Sequence, residues 1–250
     1  MFNIVYNLKY LIMQKIIHHM LNIRVFIFFI LLSSISCTSI SYIPTVTLDV
    51  SPVTINKSLQ IEKFDDLTPE SDHKNPFSGI AATHPNALSG SLDLQVPNAI
   101  TWDFSNNQVF SDVKRSMVNP DYVMKGEIIR FRGKYRPTTL KHVMDVVGGI
   151  GLGMFNATEE PVYLILAAPA ILQFVGLPVQ KLYTEIELRV HIFDRDGQKI
   201  NSYTGKVSER SYRSIYTNVA LTVPSHTNKS FNKVVQQIRD HIIDDAHLYQ

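Results

Sequence analysis

The sequence predicts an α+β fold: a mixed or antiparallel sheet containing a long hairpin, packed by a short helix and by a C-terminal amphipathic helix. Three observations carry this. Leu182, Thr184, Ile186, Leu188, Val190 and Ile192 alternate with Tyr183, Glu185, Glu187, Arg189 and His191, the period-two pattern of a long strand with one buried face. Asp194-Arg195-Asp196-Gly197 then supplies a turn in which Gly can take positive φ, and Gln198 to Arg210 returns with Tyr203 and Val207 on one face. At the carboxyl end Phe231, Val234, Val235, Ile238, Ile242 and Ala246 fall at helical spacing, while Lys233, Arg239, Asp240 and Asp244 take the other face.

The other elements follow in chain order. Ser58 to Phe64 and Leu92 to Val96 show apolar alternation and are expected as short strands. Between them, Pro76, Gly79, Pro85 and Gly90 mark most of Glu70 to Pro97 as loop. Val109, Phe110, Val113 and Met117 form one stripe, so Asn107 to Met117 is expected as a short helix that Pro120 ends. Tyr122 to Tyr135 is a second long strand, in which Ile129 and Phe131 signal a bulge or a change of face. The last helix is expected to be capped by Ser230 or Asn228, whose side chains can accept a bond from a free first-turn amide.

One block departs from a compact α+β pattern. Pro161 to Gln180 has no charged side chain, and Val143 to Thr158 has only Asp145, so the apolar insertion 143–179 is long enough to span a membrane. Pro169, Gly176 and Pro178 interrupt it, and interior Pro costs a helix about 3 kcal/mol. The readings are a buried or membrane-facing irregular hairpin, an oligomer contact, or a transmembrane helix. Gly148-Gly149-Ile150-Gly151-Leu152-Gly153 lacks the strand, helix and acidic residue of a dinucleotide fingerprint and the Lys-Ser/Thr of a phosphate loop; close backbone packing explains it better.

The amino terminus gives an address. Val25 to Leu32 are eight uninterrupted apolar residues, followed by Ser33-Ser34-Ile35-Ser36 and by Cys37, the only cysteine. Lys9, Lys15 and Arg24 are the only charges before it, and all are positive, as in a secretory signal. A start at Met13 or Met20 gives a more compact positive region. The residues ahead of Cys37 resemble the lipobox of bacterial lipoproteins, with Ile35 and Ser36 at the two nearest positions and Ser34 where Leu is usual. That resemblance implies cleavage before Cys37 and lipidation of its thiol; the alternatives are an ordinary signal peptide with a free Cys37 or a short uncleaved anchor. The resulting division is a signal peptide over 1–36, a Ser/Thr/Pro-rich tether over 37–53 and one α+β periplasmic domain over 54–250. The 214 residues from Cys37 onward suffice for one core burying about 70% of the unfolded surface.

Charge and residue types narrow the function. Of 24 Lys and Arg three precede Cys37, so 21 basic groups face 22 acidic ones beyond it, a net −1 that offers no basic surface for nucleic acid. A single cysteine allows neither an internal disulfide nor a thiolate metal site. His73, His84, His142, His191, His226, His241 and His247 are scattered, and Asp194-Arg195-Asp196-Gly197 lacks the later Glu of a calcium loop. Gly-x-Ser-x-Gly is missing, and Asp65-Asp66 and Glu159-Glu160 are paired only by adjacency, where neighbours point apart. No catalytic, cofactor or metal residue is therefore nominated, and Cys37 is the one candidate site.

Leu59 to Asp66, Val123 to Ile128, Phe193 to Gly197 with Tyr203-Thr204-Gly205, and the Phe231 to Asp244 helix resemble small envelope lipoproteins. In layout they are similar to the α+β domains of the curli-secretion lipoprotein and of the amino-terminal part of the Tol system's periplasmic protein. The resemblance implies a non-enzymatic outer-membrane lipoprotein facing the periplasm, with an envelope protein as partner and lipid on Cys37 as its membrane contact. Thr38 fits, since an Asp after the lipidated Cys would favour inner-membrane retention in enteric-type sorting. The apolar insertion is the expected contact with partner subunits or lipid. Two other classes stay open: a membrane-inserting or pore-forming subunit, and an envelope hydrolase with dispersed catalytic groups.

Overall fold

A computed structural model describes residues 40–158, 160–172 and 175–249. Its strands are β1 (Ile55–Ile61), β2 (Asp65–Asp66), β3 (Ile80–Ala81), β4 (Phe110–Lys114), β5 (Tyr122–Pro137), β6 (Gln180–Asp194) and β7 (Lys199–Arg213). Its helices are α1 (Glu70–His73), α2 (Leu92–Asn106), α3 (Thr139–Thr158), α4 (Tyr163–Leu172) and α5 (Val219–Asp244), with a final 3-10 turn at Ala246–Tyr249. The strands form one open mixed sheet in the order β4-β1-β5-β6-β7, with β2 and β3 also on β5. β1 runs parallel to β4 and β5, and β5-β6-β7 is an antiparallel meander.

The expected α+β architecture and its long hairpin are present. In the β6–β7 turn, Asp194 Oδ1 accepts from the amides of Asp196 and Gln198 at 3.0 and 2.8 Å, and Gly197 takes φ 78°. The β5–β6 register shifts between Ile128 and Arg130, so that Ile128 and Phe131 both point into the core. One face of the sheet buries Leu59, Met124, Phe131, Ile186, Leu188 and Ile192 against Phe104 of α2 and Phe231, Val234 and Ile238 of α5. Gly126 leaves room for a ring: a Cβ there would lie 2.5 Å from Phe64.

Four local expectations are corrected. Leu92 to Val96 is the start of α2, not a strand; Leu92, Val96, Ala99, Ile100 and Phe104 are buried at helical spacing, while Leu94 faces solvent. Alternation over five residues was a fragment of the longer period. Asn107 to Met117 is not a helix, because Phe110 to Lys114 pairs with β1 in parallel, a long-range pairing that outweighs local periodicity. The C-terminal helix begins at Val219, with Asn218 as its cap accepting from the Leu221 amide. Ser230 and Asn228 sit inside it; buried Val223, Thr227 and Ser230 extend the inward stripe, and the hydroxyls of Thr227 and Ser230 read as polar in the sequence.

The fourth correction concerns 37–53. From residue 40 the chain is a packed arm instead of a free tether, with Ile40, Tyr42 and Val46 buried. Tyr42 exchanges backbone bonds with Ala87 and Ser89 at 2.7 and 2.9 Å. The Asn228 and Asn232 side chains accept from the amides of Thr45 and Thr47, and Arg239 donates to the Asp49 carbonyl at 2.6 Å. Peptide groups in contact with α5 must find partners, and these polar side chains supply them. The arm therefore runs parallel to α5. The signal peptide 1–36 and Cys37 lie outside the described residues.

Candidate interface: a basic cleft at the root of an apolar hairpin

The insertion between β5 and β6 folds as two helices, so the expected irregular hairpin is helical. Its ends are clasped by the sheet: Pro137 pairs with Gln180, and Thr138 donates from N and Oγ1 to the Val179 carbonyl at 2.9 and 3.0 Å. Within it, Met144, Gly148 and Gly151 are the buried positions of α3. A Cβ on Gly151 would lie 2.4 Å from the Ala167 nitrogen, so glycine there permits the helices to touch, as small residues do in close helix pairs. Gly149 and Gly153 face open space. Val143, Val146, Ile150, Val162, Leu164 and Ile165 are exposed, Ile165 at 72% and Val146 at 62%. Exposed apolar surface of this kind is a feature of contact surfaces in general. No helix among the described residues is long and apolar enough to cross a membrane.

At the root of this hairpin the sheet's polar face changes character. Opposite the core, β5 presents Arg130, Arg132, Lys134 and Arg136, whose β6 neighbours are Glu187, Glu185, Tyr183 and Lys181. Far from the hairpin the charges are matched: Lys206 to Glu187 at 2.6 Å, Arg189 to Glu127 at 3.3 Å and Arg132 to Glu185 at 3.6 Å. Toward the hairpin the acids run out, and Arg136 stands directly across from Lys181. Like charges in that position destabilise a ladder. Arg210 of β7 lies 5.5 Å above the Tyr183 ring. Pro76, Arg132, Lys134, Arg136, Lys181, Tyr183 and Arg210 line a cleft of about 380 Å³. A second cleft of about 490 Å³ shares Pro76, Arg136 and Lys181 and extends along Phe77, Leu140 and His142 to the first turns of α3.

α1 straps the polar face and fixes one cation. Asp72 is fully buried, and its Oδ1 accepts from Nε and a terminal nitrogen of Arg132 at 2.8 and 2.6 Å, with Arg130 at 3.5 Å. Arg132 is thus neutralised internally. Lys134 donates to the Ser71 carbonyl, and burial, with the adjacent Arg132 charge, pushes its ammonium pKa below the usual lysine range. On the other side of β7, Arg213, Lys229 and His226 line a further cleft of about 430 Å³. Burial lowers the His226 pKa, and Arg213 and Lys229 add to the effect against Glu209. Lys and Arg side chains are hydrogen-bond donors only. Their convergence can hold an anion such as a phosphate or carboxylate.

The residues weighed in the sequence are not brought together. His191 sits between Ser202 at 2.7 Å and Glu127 at 3.6 Å, and His73 between Thr68 and the Thr83 carbonyl at 2.7 and 3.0 Å. Asp65 and Asp66 are exposed on β2, and Glu159 lies outside the described residues. No group of three or more His, Cys, Asp or Glu side chains that could hold a metal occurs among the described residues. The basic cleft was missed. Its signal was the run Arg130, Arg132, Lys134, Arg136 at strand spacing, which puts every cation on one face.

No protein-family model matches the chain, and no curated protein matches it. Among solved structures it is similar to a DUF330 protein from Xanthomonas campestris at 12% identity, covering 82% of this chain and 98% of that one with TM-score 0.43. It is also similar to the PelC dodecamer from Paraburkholderia phytofirmans at 9% identity, covering 75% and 93% with TM-score 0.28. Lipoprotein GNA1162 from Neisseria meningitidis matches at 10% identity, covering 69% and 96% with TM-score 0.22. Likenesses at this level carry no inference about activity or partners.

Proposed function

We propose that this chain is a non-enzymatic lipoprotein of the bacterial cell envelope, exported by residues 1–36, acylated on Cys37, and acting at the outer membrane, facing the periplasm, as a binding or assembly module for an envelope protein. The observation that carries the reading is the helical hairpin α3–α4, which leaves its apolar side chains in solvent at one end of the sheet. A chain that keeps such a surface gains by covering it with a partner or lipid, since burial is worth about 25 cal/mol per Å². The layout resemblance to the curli-secretion lipoprotein and the Tol periplasmic protein belongs to the same proposal. A membrane-inserting subunit is the second reading, drawing on the same hairpin.

Two measurements test this. Mass spectrometry of the chain from envelopes is expected to show Cys37 as the first residue with thioether-linked lipid; a soluble chain with an intact leader and a free thiol overturns the anchor. Crosslinking in intact envelopes is expected to join the chain to one defined envelope protein, and recovery of the monomer alone overturns the assembly role.

A further inference from the structure

We infer that the α3–α4 hairpin docks into one leaflet of an anionic lipid bilayer, with Arg136, Lys181 and Arg210 at its root taking the headgroup phosphates. This rests on the envelope-lipoprotein reading above and names what covers the hairpin.

Three independent features converge on a bilayer. First, the hairpin carries a long uncharged stretch in each helix. α4 has 10 residues and no charged side chain. In α3 the charged residues Lys141 and Asp145 lie in the first two turns, and Val146 to Thr158 carries none. Glu159 and Glu160 make the turn between the helices polar, so the hairpin lies along the leaflet on its exposed apolar side chains with both its root and its tip in the headgroup layer, the placement of interfacial helices.

Second, the charges sit at the depth where phosphates would lie. The cleft along β5, β6 and β7 joins the one that reaches Leu140 and His142 in the first turn of α3, through the shared Arg136 and Lys181. Among the described residues no carboxylate makes an ion pair with Arg136, Lys181 or Arg210, and the one buried acid nearby, Asp72, is spent on Arg132 and Arg130. Two cations face to face destabilise the ladder, and an anion held between them relieves that repulsion. A second copy of this chain is a poor source, because an isologous contact through the hairpin root would bring Arg136 and Lys181 against themselves.

Third, the chain enters from the same end. Asp49 meets Arg239, Thr47 meets Asn232 and Thr45 meets Asn228, so the arm leads back toward the amino end of α5. α5 follows β7, whose last residue Arg213 pairs with Gln180 at the foot of the hairpin. Only two residues separate Cys37 from Ile40, a reach of at most about 10 Å over three Cα–Cα steps. A lipid on Cys37 and the hairpin would thus enter one membrane side by side, and two weak attachments reinforce each other.

The test uses the exported chain carrying Cys37→Ala and freed from its leader, since every core residue of the described body lies at or beyond Ile40. It is sedimented with vesicles of phosphatidylcholine alone or mixed with phosphatidylglycerol. Binding is expected to the mixed vesicles, weakening as salt rises. Arg136→Gln with Lys181→Gln is expected to weaken it about 25-fold, roughly fivefold for each cation. Ile165→Glu, at an exposed position, is expected to abolish it with the circular dichroism spectrum unchanged. Ile165→Trp in a Trp102→Phe background is expected to shift its emission to the blue on mixed vesicles. Equal binding to both vesicle types, no binding to either, or displacement of the chain by inorganic phosphate alone sinks the proposal. So does a vesicle-free dimer that Ile165→Glu dissolves. The lipid on Cys37 is read separately by mass spectrometry, so failure here with an acylated Cys37 removes only the docking, and an unmodified Cys37 with vesicle binding intact removes only the anchor.

Discussion

Arg136 and Lys181 face each other across the β5–β6 ladder, at the point where the sheet opens into an apolar hairpin. Farther along the same two strands, Glu127 faces Arg189 and Arg132 faces Glu185. The sequence could have placed an acid at either position and did not. The ladder is destabilised locally, and the cleft gains two donors with no side-chain acceptor among the described residues.

Lys181→Glu should therefore stabilise the fold while removing anion binding. The cross-strand pair becomes attractive, worth roughly 0.2–1 kcal/mol relative to a neutral pair. A higher urea midpoint with an unchanged slope is the expected result, and a lower midpoint refutes the repulsion.

Arg132→Ala should destabilise strongly, because it strips the fully buried Asp72 of its two shortest ion-paired bonds. Leaving a buried charge unpaired costs about 3–5 kcal/mol, and Arg130 at 3.5 Å offsets part of that. Adding Asp72→Ala to Arg132→Ala should recover much of the loss in a double-mutant cycle.

Gly151→Leu should separate α3 from α4 without unfolding the sheet. The new side chain meets backbone at Leu166 and Ala167, which cannot swing away, whereas neither helix supplies a large side chain to the main core. Hydrogen exchange is expected to rise within residues 139–172 and stay unchanged in β5 to β7. Protection lost throughout would show that the hairpin supports the body.

Stability should fall as the solution is acidified below about pH 6.5, the ordinary histidine value. Burial depresses the His226 pKa in the folded chain, so in that window the unfolded chain binds more protons, and unfolding is favoured as pH drops. Above it the contribution is fully present. His226→Gln should flatten the slope of the urea midpoint against pH; an unchanged slope would assign the dependence to carboxylates such as Glu209, whose pKa is lowered chiefly by its bond from Lys233.

Alternation in β6, the Asp194 to Gly197 turn and the inward stripe of α5 were legible in the sequence because each is set by neighbours within one element. The apolar character of 143–179 was legible for the same reason, as were the residues that would make Cys37 an acylation site. The parallel pairing of Phe110 to Lys114 with β1, the helix over Leu92 to Asn106 and the arm from Ile40 to Asp49 were decided by tertiary structure. Each depends on partners distant in the sequence, such as Asp103 for Leu48 and Arg239 for Asp49, and a local pattern holds no record of them. The basic cleft lies between these cases: strand spacing puts Arg132, Lys134 and Arg136 on one face, but only the register with β6 and β7 brings Lys181 and Arg210 beside them and leaves the acids elsewhere.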